Sequence, residues 1–201
     1  WLLENFGVDE HWCLVHATHM DFDEVEALAH SGAVAALCPS TEANLGDGLF
    51  PLHRYLTAGG RIAIGSDSHI SINPFEELRW LEYGQRLVSQ SRNIASLRES
   101  HVGSELFSRV HEGGALASGQ PVVGIEIGAP ADIVVLNDED PMLAGHNDDS
   151  RLDALVFSGY PLPVERVMVA GEWRVVDAEH VDRERTRREF AATLGRLGVA
   201  S

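Results

Sequence analysis

Three short apolar runs, Trp12–His16, Ala33–Cys38 and Ile62–Ser66, set the strongest limit on what this chain can fold into. Each is entered from a polar loop and left at a polar residue, the pattern of a parallel strand buried on both faces. Single helices between such strands imply parallel pairing with right-handed crossovers. The intervening segments fit that scheme. Phe22–His30 reads as a helix opened by Asp21 or Asp23. Pro51–Ala58 reads as a short helix closed by Gly59-Gly60, and Pro39–Leu49 before it as a polar, Gly-bearing loop. A long helix is predicted over Pro74–Ser89, where Phe75, Leu78, Leu81, Glu82 and Gln85 keep a helical period. Further helices are predicted over Ile94–Arg98 and Glu105–Ala117, the last ended by Gly119 and Pro121. Three strands cannot close a barrel of eight. A barrel reading therefore places five strands ahead of Trp1, and the start Trp1-Leu-Leu-Glu, without an initiator Met, agrees with that expectation.

Beyond Pro121 the pattern changes. Val122–Ile127, Asp132–Leu136, Asp153–Phe157, Val164–Val169 and Trp173–Val176 are short, β-branched and parted by Gly, Pro, Asn and Asp clusters. They read as antiparallel strands, with Val167–Val176 a hairpin turning near Ala170–Glu172. Gly145–Ser150 reads as a polar loop. Val181–Leu197 closes the chain as an amphipathic helix whose Phe190, Leu194 and Leu197 are expected to dock on the body of the protein.

Composition narrows the function classes. The 201 residues carry 31 acidic and 15 basic side chains, a net charge of -16, which repels phosphate backbones and argues against a nucleic-acid partner. Every basic residue is Arg, so lysine-nucleophile and Schiff-base chemistry are excluded for these residues. Cys13 and Cys38 both lie in apolar runs and read as buried small hydrophobes in a reducing cytoplasm. No apolar run approaches the roughly 18 residues of a membrane span, and no signal-peptide pattern is present.

Chemistry concentrates at the ends of the strands. His16 and Asp67 occupy the same relative position at the carboxyl ends of the first and third runs. Side chains there converge on one mouth of an α/β barrel. Asp67 could bind a divalent metal and accept a proton from its water, with His16 holding or polarising that water. The plainer readings are a turn-capping Asp and a hydrogen-bonded structural His. The segment Pro39–Pro51 follows the second strand at the same mouth and offers Ser40, Thr41, Glu42, Asn44 and Asp47 for polar recognition, or simply as connector residues.

Four segments together resemble the amidohydrolase superfamily. They are Val15-His-Ala-Thr-His19, Cys38-Pro-Ser-Thr-Glu-Ala-Asn-Leu-Gly-Asp-Gly48, Gly65-Ser-Asp-Ser-His69 and Glu77-Leu-Arg-Trp-Leu-Glu-Tyr-Gly-Gln-Arg-Leu87. The second and fourth are the narrower motifs and resemble the formimidoylglutamate deiminases of bacterial histidine degradation. Gly124–Leu136 and the Val164–Val176 hairpin are similar to the C-terminal β-sandwich strands of the superfamily. The resemblance implies an α/β fold: the C-terminal part, about strands six to eight, of a TIM-type (β/α)8 metal-dependent hydrolase barrel, with the C-terminal part of a small β-sandwich subdomain. The expected division is 1–120 for the barrel part, 121–180 for the sandwich strands and 181–201 for the C-terminal helix.

By position, Asp67 matches the strand-eight aspartate that binds zinc and handles the proton of the attacking water. His16 matches the strand-six histidine beside that water and the substrate. The implied activity is zinc-dependent hydrolysis of N-formimino-L-glutamate to N-formyl-L-glutamate and ammonia, in a cytoplasmic enzyme with a small-molecule substrate and a homodimeric tendency. One zinc per active site is implied, with its remaining ligands, and the arginines that grip substrate, expected upstream of Trp1. The 201 residues alone are then expected to be inactive. The alternatives are another aminohydrolase, acting on a guanine, cytosine or adenosine-like ring, and a non-catalytic remnant or assembly subunit.

Overall fold

The computed structural model describes residues 1–97, 101–121, 124–159 and 161–199. They form two compact units, Trp1–Val122 with Gly145–Tyr160 and Val123–Ala144 with Pro161–Ser201.

The first unit is built on a parallel sheet of β1 (Cys13–Val15), β2 (Val34–Leu37) and β3 (Arg61–Ile64), in that spatial order. Its register pairs Val15 with Ala36 and Leu37 with Ile64, so the three strands end almost level. Central β2 is buried along its length apart from half-buried Ala36, whereas edge strand β1 leaves Cys13 and Val15 exposed. Cys13 was expected inside. It lies on an edge strand, where one side of the run meets solvent.

A one-turn α1 (Leu2–Asn5) precedes β1, and the sheet is crossed by α2 (Phe22–Ser31). In α2, Asp21 and Glu24 make a reciprocal capping box at the start, and Gly32 ends the helix with φ 83°. Its Val25 and Leu28 are 1 % exposed, and burial of such side chains contributes about 1.5–3 kcal/mol each. Then come α3 (Pro39–Leu45) and α4 (Leu52–Thr57), the latter burying Leu52, Tyr55 and Leu56. The first corrects the sequence reading, which had a loop over Pro39–Leu49. Ser, Thr and Asn read as turn formers, but here Ser40 and Thr41 are buried and bonded to partners distant in sequence.

After β3, Asn73 caps α5 (Pro74–Ser89), with Pro74 in its first turn and Leu78 and Leu81 in the core. Ile94–Leu97 is turn and bend rather than helix, with the N–H groups of Ile94 and Ala95 donating to the fully buried Glu82 carboxylate; Arg98 lies outside the described residues. The next helix, α6 (Val102–Ala117), begins earlier than expected and packs directly on β3. Gly113 permits that approach: a Cβ there would stand 2.0 Å from the Ile62 carbonyl oxygen.

The second unit holds an antiparallel sheet in the order β4 (Ile133–Leu136), β5 (Val164–Val169), β6 (Glu172–Val176) and β7 (Glu179–His180). The β5–β6 turn places Ala170 and Gly171 at φ 50° and 81°, the two-residue geometry that matches strand twist. Gly124–Ile127, expected as strand, carries none, and Val122 and Val123 lie outside the described residues. Asp153–Phe157 also differs from expectation: it is the second half of α7 (Asp148–Phe157), started by an Asn147 capping box and belonging to the first unit. The last helix, α8 (Arg183–Arg196), buries no residue: its Phe190 and the following Leu197 stand exposed and its Leu194 is half-buried, short of the expected docking. Among the described residues no helix is long and apolar enough to cross a membrane.

Candidate active site

The candidate residues His16 and Asp67 lie just past the carboxyl ends of β1 and β3. His16 N donates to Ala36 O and Gly65 N donates to Leu37 O, extending the ladder one residue past β1 and β3. The chain then turns sharply. His16, Ala17, Asp67 and His69 all adopt positive φ (66°, 47°, 45° and 57°), a conformation that costs a non-glycine residue about 1–2 kcal/mol. Four such residues around one sheet end mark a backbone held against its local preference.

The two residues singled out from sequence meet there. His16 Nε2 lies 3.9 Å from Asp67 Oδ2, with both side chains partly exposed to the mouth. On its other side the imidazole is anchored, with Nδ1 3.2 Å from Glu42 Oε1. The same Glu42 oxygen accepts from Cys38 N at 2.9 Å. Asn44, Asp47 and His69, by contrast, are solvent-exposed.

Helix α3 supports this arrangement through three consecutive buried polar residues, Ser40, Thr41 and Glu42. Ser40 donates through its N–H and its hydroxyl to the Glu77 carboxylate of α5, at 2.9 and 2.6 Å. Thr41 Oγ1 contacts the Ser66–Ser68 turn that carries Asp67, and Glu42 holds His16. The sequence reading had these residues as recognition groups or connectors and missed their role as braces. The available signal was Pro39, suited to a helix first turn, with an acid three residues on.

The donor set fits a metal. Ligand atoms of His16, Cys38 and Asp67 all lie within 4.8 Å of one another, and imidazole, thiolate and carboxylate are the usual zinc donors. The thiol is the weak member. Burial, then the nearby Glu42, Asp67 and Glu77 charges, push Cys38 up to about 11, against the lowering effect of a Gly65 backbone hydrogen bond. The buried thiol thus keeps its proton more tightly than a free one, although coordination to a metal would displace it. A recess of about 130 Å³ between α3 and α5, lined by residues such as Leu49, Phe50 and Trp80, is too small and apolar for a charged substrate.

The model of the amidohydrolase family matches residues 3–174 of the chain. The chain belongs to the amidohydrolase family. Among curated relatives, it is 51% identical over 198 residues to a formimidoylglutamate deiminase of Pseudomonas aeruginosa. The match takes in 98% of this chain and 44% of that protein, so the chain spans less than half the relative's length. A crystal structure of an amidohydrolase from Brucella melitensis superposes with a TM-score of 0.91 at 42% identity, over 98% of this chain and 43% of that one. The zinc complex of an atrazine chlorohydrolase from Arthrobacter aurescens gives a TM-score of 0.78 at 25% identity, over 92% and 41%. The α/β amidohydrolase fold thus accounts for the parallel sheet and the mouth at its carboxyl end.

Proposed function

We propose that this chain is the C-terminal part of a zinc-dependent deiminase that hydrolyses N-formimino-L-glutamate to N-formyl-L-glutamate and ammonia. The observation that carries the reading is the 51% identity, over nearly the whole chain, to a deiminase of that name. In this reading β1, β2 and β3 are strands six, seven and eight of a (β/α)8 barrel. Residues 1–120 with helix α7 are the barrel part, the remainder of 121–180 supplies the sandwich strands, and 181–201 is the terminal helix.

Asp67 would hold the zinc, with the remaining ligands supplied by residues preceding this chain in the whole protein. When bound there, zinc supplies a water acidified into the neutral range. Asp67 accepts a proton from the attacking water, within 3.9 Å of the imidazole that flanks it. His16, through Nε2, holds that water or the formimino nitrogen in line. The oxygen of the water ends in the formyl group, its two protons leave on the imine nitrogen, and ammonia departs.

A four-coordinate site with one water needs three protein ligands. One Asp and one His cannot hold zinc tightly, so the 201 residues alone are expected to be inactive. The test compares the isolated chain with the complete coding region in assays of ammonia and N-formyl-L-glutamate. Turnover by the complete protein, lost with Asp67→Asn, supports the reading. Robust turnover by the isolated chain overturns the fragment proposal. A zinc-loaded complete protein that spares N-formimino-L-glutamate but deaminates a nucleobase or nucleoside overturns the substrate, and one that binds no zinc points to a non-catalytic remnant.

A further inference from the structure

Glu42 is a buried carboxylate whose side chain is 5% exposed, set against the Nδ1 edge of His16. Part of its role is local. As the fourth residue of α3 it reaches back to the N–H of Cys38, the N-cap, as a capping-box acid does. A helix start also favours negative charge. Capping alone does not require a histidine on the same oxygen, yet His16 Nδ1 sits 3.2 Å from it.

That contact has a chemical consequence. A carboxylate oxygen only accepts hydrogen bonds, so the ring nitrogen facing it carries the hydrogen. A neutral imidazole with its hydrogen on Nδ1 has a free lone pair on Nε2. Nε2 faces Asp67 at 3.9 Å, beyond hydrogen-bond reach and with no bond between them, so the Glu42 contact alone sets the tautomer. The opposite tautomer would aim an N–H at the mouth and set a lone pair against the carboxylate.

We infer that Glu42 is a positioning residue for the reaction: it fixes the Nδ1–H tautomer of His16 and turns the Nε2 lone pair toward Asp67 and the reacting water. The inference rests on the reading of His16 and Asp67 as the reacting pair. Carboxylates that orient metal-ligating histidines change affinity or activity about 10- to 100-fold when removed, and an effect of that size is expected for a histidine beside the reacting water.

The experiment uses the complete zinc-loaded protein with 15N-labelled histidine. Proton–nitrogen correlations are recorded at about pH 8.5, above the ordinary imidazole range. The unchanged protein is expected to carry the His16 hydrogen on Nδ1. Glu42→Leu removes the acceptor; it is expected to lose that single tautomer and to lower kcat by about 10- to 100-fold with KM held within about twofold. Glu42→Asp keeps the charge at the helix start but retracts the oxygen, and is expected to behave like Glu42→Leu, which covers the case in which the apolar variant fails to fold. Glu42→Gln is expected to keep both the tautomer and most of kcat. The Cys38 N–H requires an oxygen on its side, and that same oxygen faces His16.

A hydrogen on Nε2 in the unchanged protein overturns the inference and leaves the deiminase reading intact. A wild-type tautomer and kcat in Glu42→Asp reduce Glu42 to a helix cap and overturn it too. The tautomer signal needs no substrate, so a wrong substrate assignment leaves that readout standing.

Discussion

Thr41 Oγ1 lies 2.9 Å from Ser68 Oγ and accepts from Ser68 N at 3.2 Å, so the first turn of α3 grips the turn on which Asp67 stands. Thr41→Val keeps the shape and removes the grip. It is expected to cost about 1–3 kcal/mol of stability, because buried groups lose partners. Zinc affinity of the complete protein is expected to fall about 10-fold or more, while Thr41→Ser restores both. Urea unfolding and competitive zinc titration read the two effects. An unchanged zinc affinity in Thr41→Val would separate the turn from the metal.

Glu77 is 1 % exposed and ties α5 to α3 through Ser40. Glu77→Leu strands the Ser40 N–H and hydroxyl in an interior without acceptors. A loss of about 2–4 kcal/mol is expected in chemical unfolding, and removing the hydroxyl as well, in the Ser40→Ala background, should recover part of it. Additive losses in that double-mutant cycle would show that the two residues do not couple.

Alkaline pH should loosen the first unit. Burial raises Cys38 from 9.0 to about 11 and Tyr55 from 10.0 to about 12. Both groups hold their protons more tightly folded than unfolded. The stability they confer is therefore whole below pH 9 and drains away as pH climbs through 11 and 12. Thermal midpoints should decline across this range. The Cys38→Ala variant should start lower yet decline less between pH 9 and 11, and equal declines would contradict the thiol assignment. Under native conditions near neutral pH, exposed Cys13 should alkylate while Cys38 resists.

Two adjacent glycines in α6 should answer oppositely to the same change. At Gly113 an added Cβ meets the Ile62 carbonyl oxygen at 2.0 Å, whereas at Gly114 it meets nothing within 4 Å. Gly113→Ala is expected to cost about 3 kcal/mol or more, since helix and strand must separate. Gly114→Ala is expected to gain about 0.5–1 kcal/mol from helix propensity. Paired urea midpoints decide both signs.

The three parallel strands were legible because each is an apolar run bounded by polar turns. Placing His16 and Asp67 at the same end of the sheet followed from their both standing just past those runs; His16 is one residue beyond β1 and Asp67 three beyond β3, and the sharp turns after the strands leave them 3.9 Å apart. Helix α3 was not legible. Its polar residues are satisfied by partners such as Glu77, some forty residues away, and a local reading sees only turn formers. Helix α7 was misread as strand because Ala154, Leu155 and Val156 form a short apolar run whose helical period is too brief to show. For α8 the amphipathic pattern suggested docking, yet Phe190 and Leu197 stand in solvent and Leu194 is only half-buried. Periodicity reports that a face could be covered, not that it is.

The left-handed residues at the sheet mouth have a consequence for how this protein would respond to selection. Ala17 at φ 47° occupies a conformation that glycine adopts freely, with His16 and Asp67 on either side of the mouth in the same state. Screening for heat tolerance alone would reward relief of that strain, position by position. Each relieved residue would slacken the bends that set a histidine and an aspartate face to face. Durability and catalytic competence would thus be drawn from the same few dihedral angles, and variants ranked on one trait should be expected to surrender the other.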